Sequence, residues 1–165
     1  MGFPRPRKSI EPDKKGDPAA VRAAAIALLA RRDFASGELR GRLGEKGFDS
    51  DVVADAVAAL IAERVLDDAR FADHYVAYHA ERGQGPIRIA ADLRLRGLPP
   101  GLIDAALAAA PDWPARARTA RSRRYGPEAP VSWPDKSRQA RFLQYRGFSS
   151  DHIRAALGTD FNPDD

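Results

Sequence analysis

The sequence predicts an all-α chain, an elongated, curved array of three tandem three-helix repeats with about nine helices. Three observations predict it. Apolar residues recur at helical spacing through most of the chain, and no run alternates with the period of two that a strand needs. Gly, Pro, Asp or Ser punctuates the pattern every 10–18 residues, which suits short helices joined by tight loops. A block also repeats: Leu43-x-x-x-Gly47-Phe48-x-x-x-Val52-Val53-x-x-x-Val57 recurs as Leu93, Gly97, Leu98, Leu102, Ile103 and Leu107, and again as Leu143, Gly147, Phe148, His152, Ile153 and Leu157. The copies are offset by 50 residues, and only His152 departs from the apolar-or-glycine class.

Each element has a physical reason. A helix that stops at Gly47, Gly97 or Gly147 puts glycine at the left-handed position beyond its last turn, where a side chain would clash. Phe48, Leu98 or Phe148 then folds back on Leu43, Leu93 or Leu143, the apolar contact of a Schellman ending. The next helix begins at once, with Asp49 and Ser149 as caps and Pro100 suited to a first turn. A further helix precedes each pair. Asp17-Pro18 opens the first near 18–32, with Val21, Ala25, Leu28 and Leu29 inward. Asp67 caps one near 68–82, and Asp112 followed by Trp113-Pro114 opens one near 113–125. Ser36 is expected to cap the second helix of the first repeat, and Gly85-Pro86 to open its counterpart.

The expected organisation is a disordered basic tail over 1–17, repeats over 18–66, 67–110 and 111–158, and an acidic tail over 159–165. Residues 126–134 form the longest internal loop and an expected flexible point.

Length and composition exclude several classes. A chain of 165 residues buries enough of its own surface to fold without disulfides or metal. Cysteine is absent, which removes disulfides, Cys-ligated metal and thiol catalysis. Nothing approaches the ~18 consecutive apolar residues of a membrane span. The basic start carries no apolar stretch of the secretory kind. A cytoplasmic protein is expected, and no dimer seam stands out, so a monomer.

Charge is uneven. Of 27 basic residues, 22 are Arg. Residues 49–81 hold eight acids and two Arg, a net of −6; residues 113–148 hold nine bases and two acids, a net of +7. A segment that basic is the footprint of an acidic partner, most often nucleic acid. Arg118, Arg121 and Tyr125 share a helix face, as do Arg138, Arg141 and Tyr145. Two guanidinium groups beside a phenol hold phosphate bidentately and offer a ring to a base. Arg116, Arg123, Arg124, Lys136 and Arg146 surround them, and Arg82, Arg88, Arg94 and Arg96 extend the pattern. The bland alternative is a solvated face around a buried Tyr. Phe71, Tyr75 and Tyr78 form an aromatic stripe whose default reading is core packing.

Signs of catalysis are few. There is no phosphate-binding Gly-rich loop and no nucleophile elbow. His74, His79 and His152 lack metal-ligand spacing. Asp67-Asp68 reads as a helix start. No enzyme, metal or cofactor is expected.

Ser36-x-Glu38-Leu39-Arg40-x-x-Leu43-x-x-Lys46-Gly47-Phe48, Leu66-Asp67-Asp68-x-Arg70-Phe71-Ala72-x-x-Tyr75-Val76, Gly85-Pro86-x-Arg88-Ile89-x-x-x-Leu93-x-x-x-Gly97 and Arg141-Phe142-Leu143-x-x-Arg146-Gly147-Phe148 together resemble the RecX family, bacterial regulators of the RecA recombinase. The resemblance covers residues ~20–158. It departs at His79, where the family more often has Arg, and at Gly44, which interrupts a helix.

It implies a modulator that binds the RecA filament on single-stranded DNA and spans neighbouring protomers. Such a protein lowers ATP hydrolysis, strand exchange and co-protease activity, and so restrains recombination and the SOS response. On this reading Arg116, Arg118, Arg121, Arg123, Arg124, Arg138, Arg141 and Arg146 face DNA or an acidic RecA surface, and Arg70, Arg82 and Arg88 support the protein contact. Charge reversal at Arg121 and Arg141 together is then expected to abolish inhibition with helicity intact. The rival readings are a helical DNA-binding module independent of RecA and a plain helical-repeat scaffold.

Overall fold

A computed structural model describes residues 10–109 and 112–158; residues 1–9 of the tail expected over 1–17, and the whole of the tail expected over 159–165, lie outside the described residues. Among the described residues there are nine α-helices and no strand. They are α1 (Pro18–Leu29), α2 (Ser36–Glu45), α3 (Ser50–Ala62), α4 (Asp68–Glu81), α5 (Pro86–Leu95), α6 (Pro100–Ala109), α7 (Trp113–Tyr125), α8 (Trp133–Arg146) and α9 (Ser150–Leu157). The chain divides into two compact units, one reaching to Phe71 and including Arg96–Leu98, the other holding Ala72–Leu95 and the chain from Pro99 onward.

In the first unit Val21, Ala25, Leu39, Leu43, Val57 and Leu60 are fully buried, with Phe34, Phe48, Val53 and Leu66 completing the core. Leu28 and Leu29 pack on it from the side. Part of the stretch expected as a tail is folded: Pro12–Lys14 form a 3-10 turn, Ile10 packs on the core, and the Lys15 carbonyl accepts from Asp49 N–H at 3.0 Å.

Ser36 does not cap α2 with its own side chain, which is buried. The cap comes from outside. Asp68 Oδ1 accepts from Ser36 N–H at 2.7 Å, and Oδ2 accepts from Ser36 Oγ at 2.6 Å. One carboxylate therefore satisfies the orphan donor of a helix 32 residues earlier. Its neighbour Asp67 caps α4 itself, accepting from Arg70 N–H at 3.0 Å, and that bond holds the Asp67 carboxyl below its ordinary value of 3.8.

In the second unit α7, α8 and α9 enclose Ala117, Leu143, Phe148, Ile153 and Leu157. α5 packs on α6, with Ile89, Leu93 and Ile103 fully buried. Trp113 Nε1 donates to the Leu107 carbonyl at 3.2 Å.

The glycine stops are where the spacing puts them, with φ of +102°, +82° and +94° at Gly47, Gly97 and Gly147. Phe48 and Phe148 donate to the Leu43 and Leu143 carbonyls at 3.4 and 3.1 Å, and Gly47 and Gly147 to Gly44 and Gln144 at 2.9 and 3.0 Å. This is the Schellman pattern. Gly83 ends α4 the same way, an ending the 50-residue repeat does not disclose, with Gln84 donating to His79 and Gly83 to Ala80, both at 3.0 Å. α3 ends likewise on Arg64, a side-chain-bearing residue at φ +57°.

These ends serve as seats. Gly85 N–H donates to the Arg146 carbonyl at 2.8 Å and Ile87 N–H to that of Gly147 at 3.0 Å, so the first turn of α5 rests on the last of α8. A Cβ at Gly85 would overlap the Gly147 carbonyl and Phe148 N, and one at Gly147 would overlap Arg88. In the first unit Gly37 of α2 lies in the same way on Gly97, where a Cβ would meet the Arg96 carbonyl oxygen at 2.9 Å.

His152, the odd member of the repeated block, has its own reason. Its Nδ1 accepts from Ser149 N–H at 3.3 Å while Ser149 Oγ accepts from His152 N–H at 3.4 Å, a reciprocal capping box at the start of α9. Burial pushes the imidazole below its ordinary 6.5, against the opposing pull of Asp151 and Asp112.

Three positions in these helices carry predictions. Gly147→Ala combines a left-handed backbone with an overlap, and should cost about 2–4 kcal/mol in denaturant unfolding. Gly44→Ala, at an exposed position of α2 with nothing within 4 Å of the new methyl, should gain up to ~1 kcal/mol. The depressed His152 binds its proton less readily folded than unfolded, so its contribution is complete above 6.5 and falls as pH drops below it. The thermal midpoint should therefore drop from pH 7 to about pH 5.5. His152→Gln, which keeps an acceptor, should flatten that dependence; an equally steep profile would show that His152 is not its source.

Candidate nucleic-acid interface

Of the eleven arginines expected to contact DNA or RecA, Arg70 belongs to the first unit and the other ten to the second. Arg70 is exposed in the first turn of α4, with Nη2 3.4 Å from the Val65 carbonyl. The ten divide by what surrounds them.

Arg121 is a correction. It is 5% exposed, so its side chain lies inside the chain and not on the outer face expected of it. Nη1 donates to the Glu128 carbonyl at 2.8 Å and lies 3.4 Å from Gln139 Oε1; Nη2 donates to the Pro127 carbonyl at 3.1 Å and to Ser122 Oγ at 3.2 Å. It ties down the loop expected to flex, and Ser132 closes that loop by capping α8 at Asp135 N–H. The cause lies in the register of α7. Its buried stripe is Ala117, Ala120 and Arg121, and the two alanines leave the depth that a long side chain fills.

The two expected Arg–Arg–Tyr faces are rearranged as well. Arg118 is exposed while Arg121 is not. Tyr125 is half-buried, edge-on to Phe142 at 5.5 Å, with the Arg138 guanidinium 5.6 Å from its ring centre. Arg138 also pairs with Asp135 at 2.8 Å, an exposed pair worth at most ~0.5 kcal/mol and so readily given up. Tyr145 is 78% exposed, with Arg88 of α5 5.8 Å from its ring centre. The rings thus meet arginines of other helices. Arg116 is half-buried and Arg141 exposed. The stripe on α4 grades outward: Phe71 is buried, Tyr75 half-buried with its hydroxyl 3.4 Å from Asp92, and Tyr78 exposed.

The structure brings four of the ten together. Arg82 just after α4, Arg123 and Arg124 in the last turn of α7, and Arg146 in the last turn of α8 line one open cleft of about 190 Å³ with Gly83 and Phe142. Arg123 Nη1 donates to the Glu81 carbonyl at 2.8 Å. Arg82 lies 5.2 Å from the Tyr78 ring centre and Arg146 5.5 Å from that of Phe142. Gly83 and Phe142 were not foreseen; an Arg-Gly pair after a helical pattern is the signal that places a cation beside a stop. Among the described residues no group of three or more His, Asp or Glu is placed to hold a metal, and no helix is long and apolar enough to cross a membrane.

Arg121→Ala should therefore act on stability: with the Pro127 and Glu128 carbonyls left without their donor, a loss of about 2–3 kcal/mol is expected in denaturant unfolding. Arg141→Ala should stay within ±0.5 kcal/mol.

Family models of three successive RecX three-helix domains match residues 22–60, 67–107 and 112–157. A Regulatory protein RecX of Halorhodospira halophila is 48% identical over 138 residues, 83% of this chain and 86% of that protein. One of Ectopseudomonas mendocina is 40% identical over 142 residues, 86% and 95% of the two chains. The crystal structure of RecX from Lactobacillus salivarius superposes with a TM-score of 0.74 at 21% identity, over 86% of this chain and 94% of that one. With its nine described helices and all three domains matched, the chain belongs to the RecX family of regulatory proteins.

Proposed function

We propose that this protein binds RecA filaments on single-stranded DNA and lowers their ATPase, strand-exchange and co-protease activities, so restraining recombination and the SOS response. It acts without catalysis or cofactor, as a cytoplasmic monomer. The observation that carries this reading is the match of all three domains to RecX models in order along one chain. Three domains offer several weak contacts at once, and such contacts add up only where partner subunits repeat at regular spacing, as in a filament. The exposed arginines of the second unit supply charge for DNA or an acidic protein surface. Arg121 is no part of that surface, so a charge-reversal test belongs at exposed positions such as Arg118 and Arg141.

The test is steady-state ATP hydrolysis by the cognate RecA on single-stranded DNA, with this protein well below one per protomer. A strong loss of rate at low ratio is expected, and would point to capping or disassembly, since simple occupancy does not reach every protomer. An unchanged rate up to saturation overturns the reading.

A further inference from the structure

The arginines of this chain divide by their company. Arg22, Arg32, Arg42, Arg138 and Arg154 each sit on a carboxylate, those of Glu63, Glu38, Glu45, Asp135 and Asp151. Arg82, Arg123, Arg124 and Arg146 do not: no acid lines their cleft, and among the described residues none of the four forms an ion pair. Three are nonetheless held in place, Arg123 by a backbone carbonyl, Arg82 and Arg146 against aromatic rings. These contacts orient a guanidinium without neutralising it. Four like charges in one cleft repel one another, and an anion placed among them removes that cost.

We propose that this cleft is a phosphate-binding site that holds the sugar–phosphate backbone of a single nucleic-acid strand. Planar guanidinium groups match phosphate oxygens bidentately. Gly83 carries no side chain, which keeps the floor low where a sugar would lie. Phe142 in the lining gives a flat surface on which an unpaired base stacks, and exposed Tyr78, which adjoins Arg82 outside that lining, gives a second, a feature an acidic peptide would not use. Contacts of this kind read no sequence. The site deepens the single-stranded-DNA contact proposed above and rests on it for its role, though not for its chemistry.

The test is fluorescence anisotropy of a labelled oligothymidylate with the full chain and no RecA, across a salt series. The double variant Arg82→Ala/Arg124→Ala removes two cleft charges that make no hydrogen bond among the described residues, so its circular dichroism and melting should match the native protein. It should bind at least tenfold more weakly at low salt, with the slope of log affinity against log salt shallower by about 1.4. Arg31→Ala/Arg40→Ala, an equal charge change in the first unit, should stay within twofold. Native affinity in the cleft variant, or equal losses in both variants, overturns the proposal. Displacement of the strand by micromolar inorganic triphosphate, beyond its effect as a salt, assigns the cleft to a small polyphosphate and overturns it too. If the cleft variant keeps strand binding but no longer slows RecA ATP hydrolysis, the cleft faces an acidic protein surface and the proposal falls. Cleft-dependent strand binding by a protein that leaves RecA ATP hydrolysis untouched would sustain the site and remove only the filament reading.

Discussion

The helix that starts at Pro86 stands on the helix that stops at Gly147, and the contact is backbone against backbone. Gly85 and Ile87 give their N–H groups to the last carbonyls of α8, so the orphan donors of one helix meet the orphan acceptors of another. Neither glycine has room for a Cβ. The left-handed turn at Gly147 is what exposes those carbonyls, and the Phe148–Leu143 clamp behind it fixes the angle at which α9 departs. In the first unit Gly37 on Gly97 repeats the close approach, with the Asp68 carboxylate supplying the cap that α2 lacks. These contacts are short-range and steric, so they tolerate no substitution larger than hydrogen, whereas the exposed ion pairs elsewhere are worth a few tenths of a kcal/mol each.

Most of the fold was legible because its determinants are local. A glycine four residues after a leucine and just before an apolar residue specifies an ending, and three copies at equal offsets specify a repeat. The start of α7 was equally readable, since Asp112 accepts from Ala115 N–H in the expected way. What was not legible depends on partners distant in sequence. Nothing around Ser36 says that its cap lies at Asp68. His152 looked like an exception to an apolar column until its imidazole was seen to close the box with Ser149.

The candidate site was legible in composition and not in geometry. Helical spacing shows which residues share a face but not which face is inside when a helix carries few large apolar residues. α7 is such a helix, and its inward stripe is marked only by Ala117 and Ala120. Arg121 follows that stripe inward; Arg118 does not. The same ambiguity hid the cleft, whose arginines come from positions up to 64 apart and meet only after α4, α7 and α8 are placed.

The scaffold and the site share one device. Arg82 directly follows α4, Arg123 and Arg124 close α7, and Arg146 closes α8. Gly83, Gly126 and Gly147 follow them, all at positive φ. Three helix C-termini therefore end around one cleft, and each brings the partial negative end of its helix dipole. Partial negative charge of that kind offsets repulsion among like cations, and one carbonyl at such an end, that of Glu81, accepts from Arg123 at 2.8 Å. It does so without a carboxylate that would compete with an incoming anion. The glycine that ends each helix thus stops the chain at the point where a cation is best tolerated, and the spacing that folds the unit also gathers its charge.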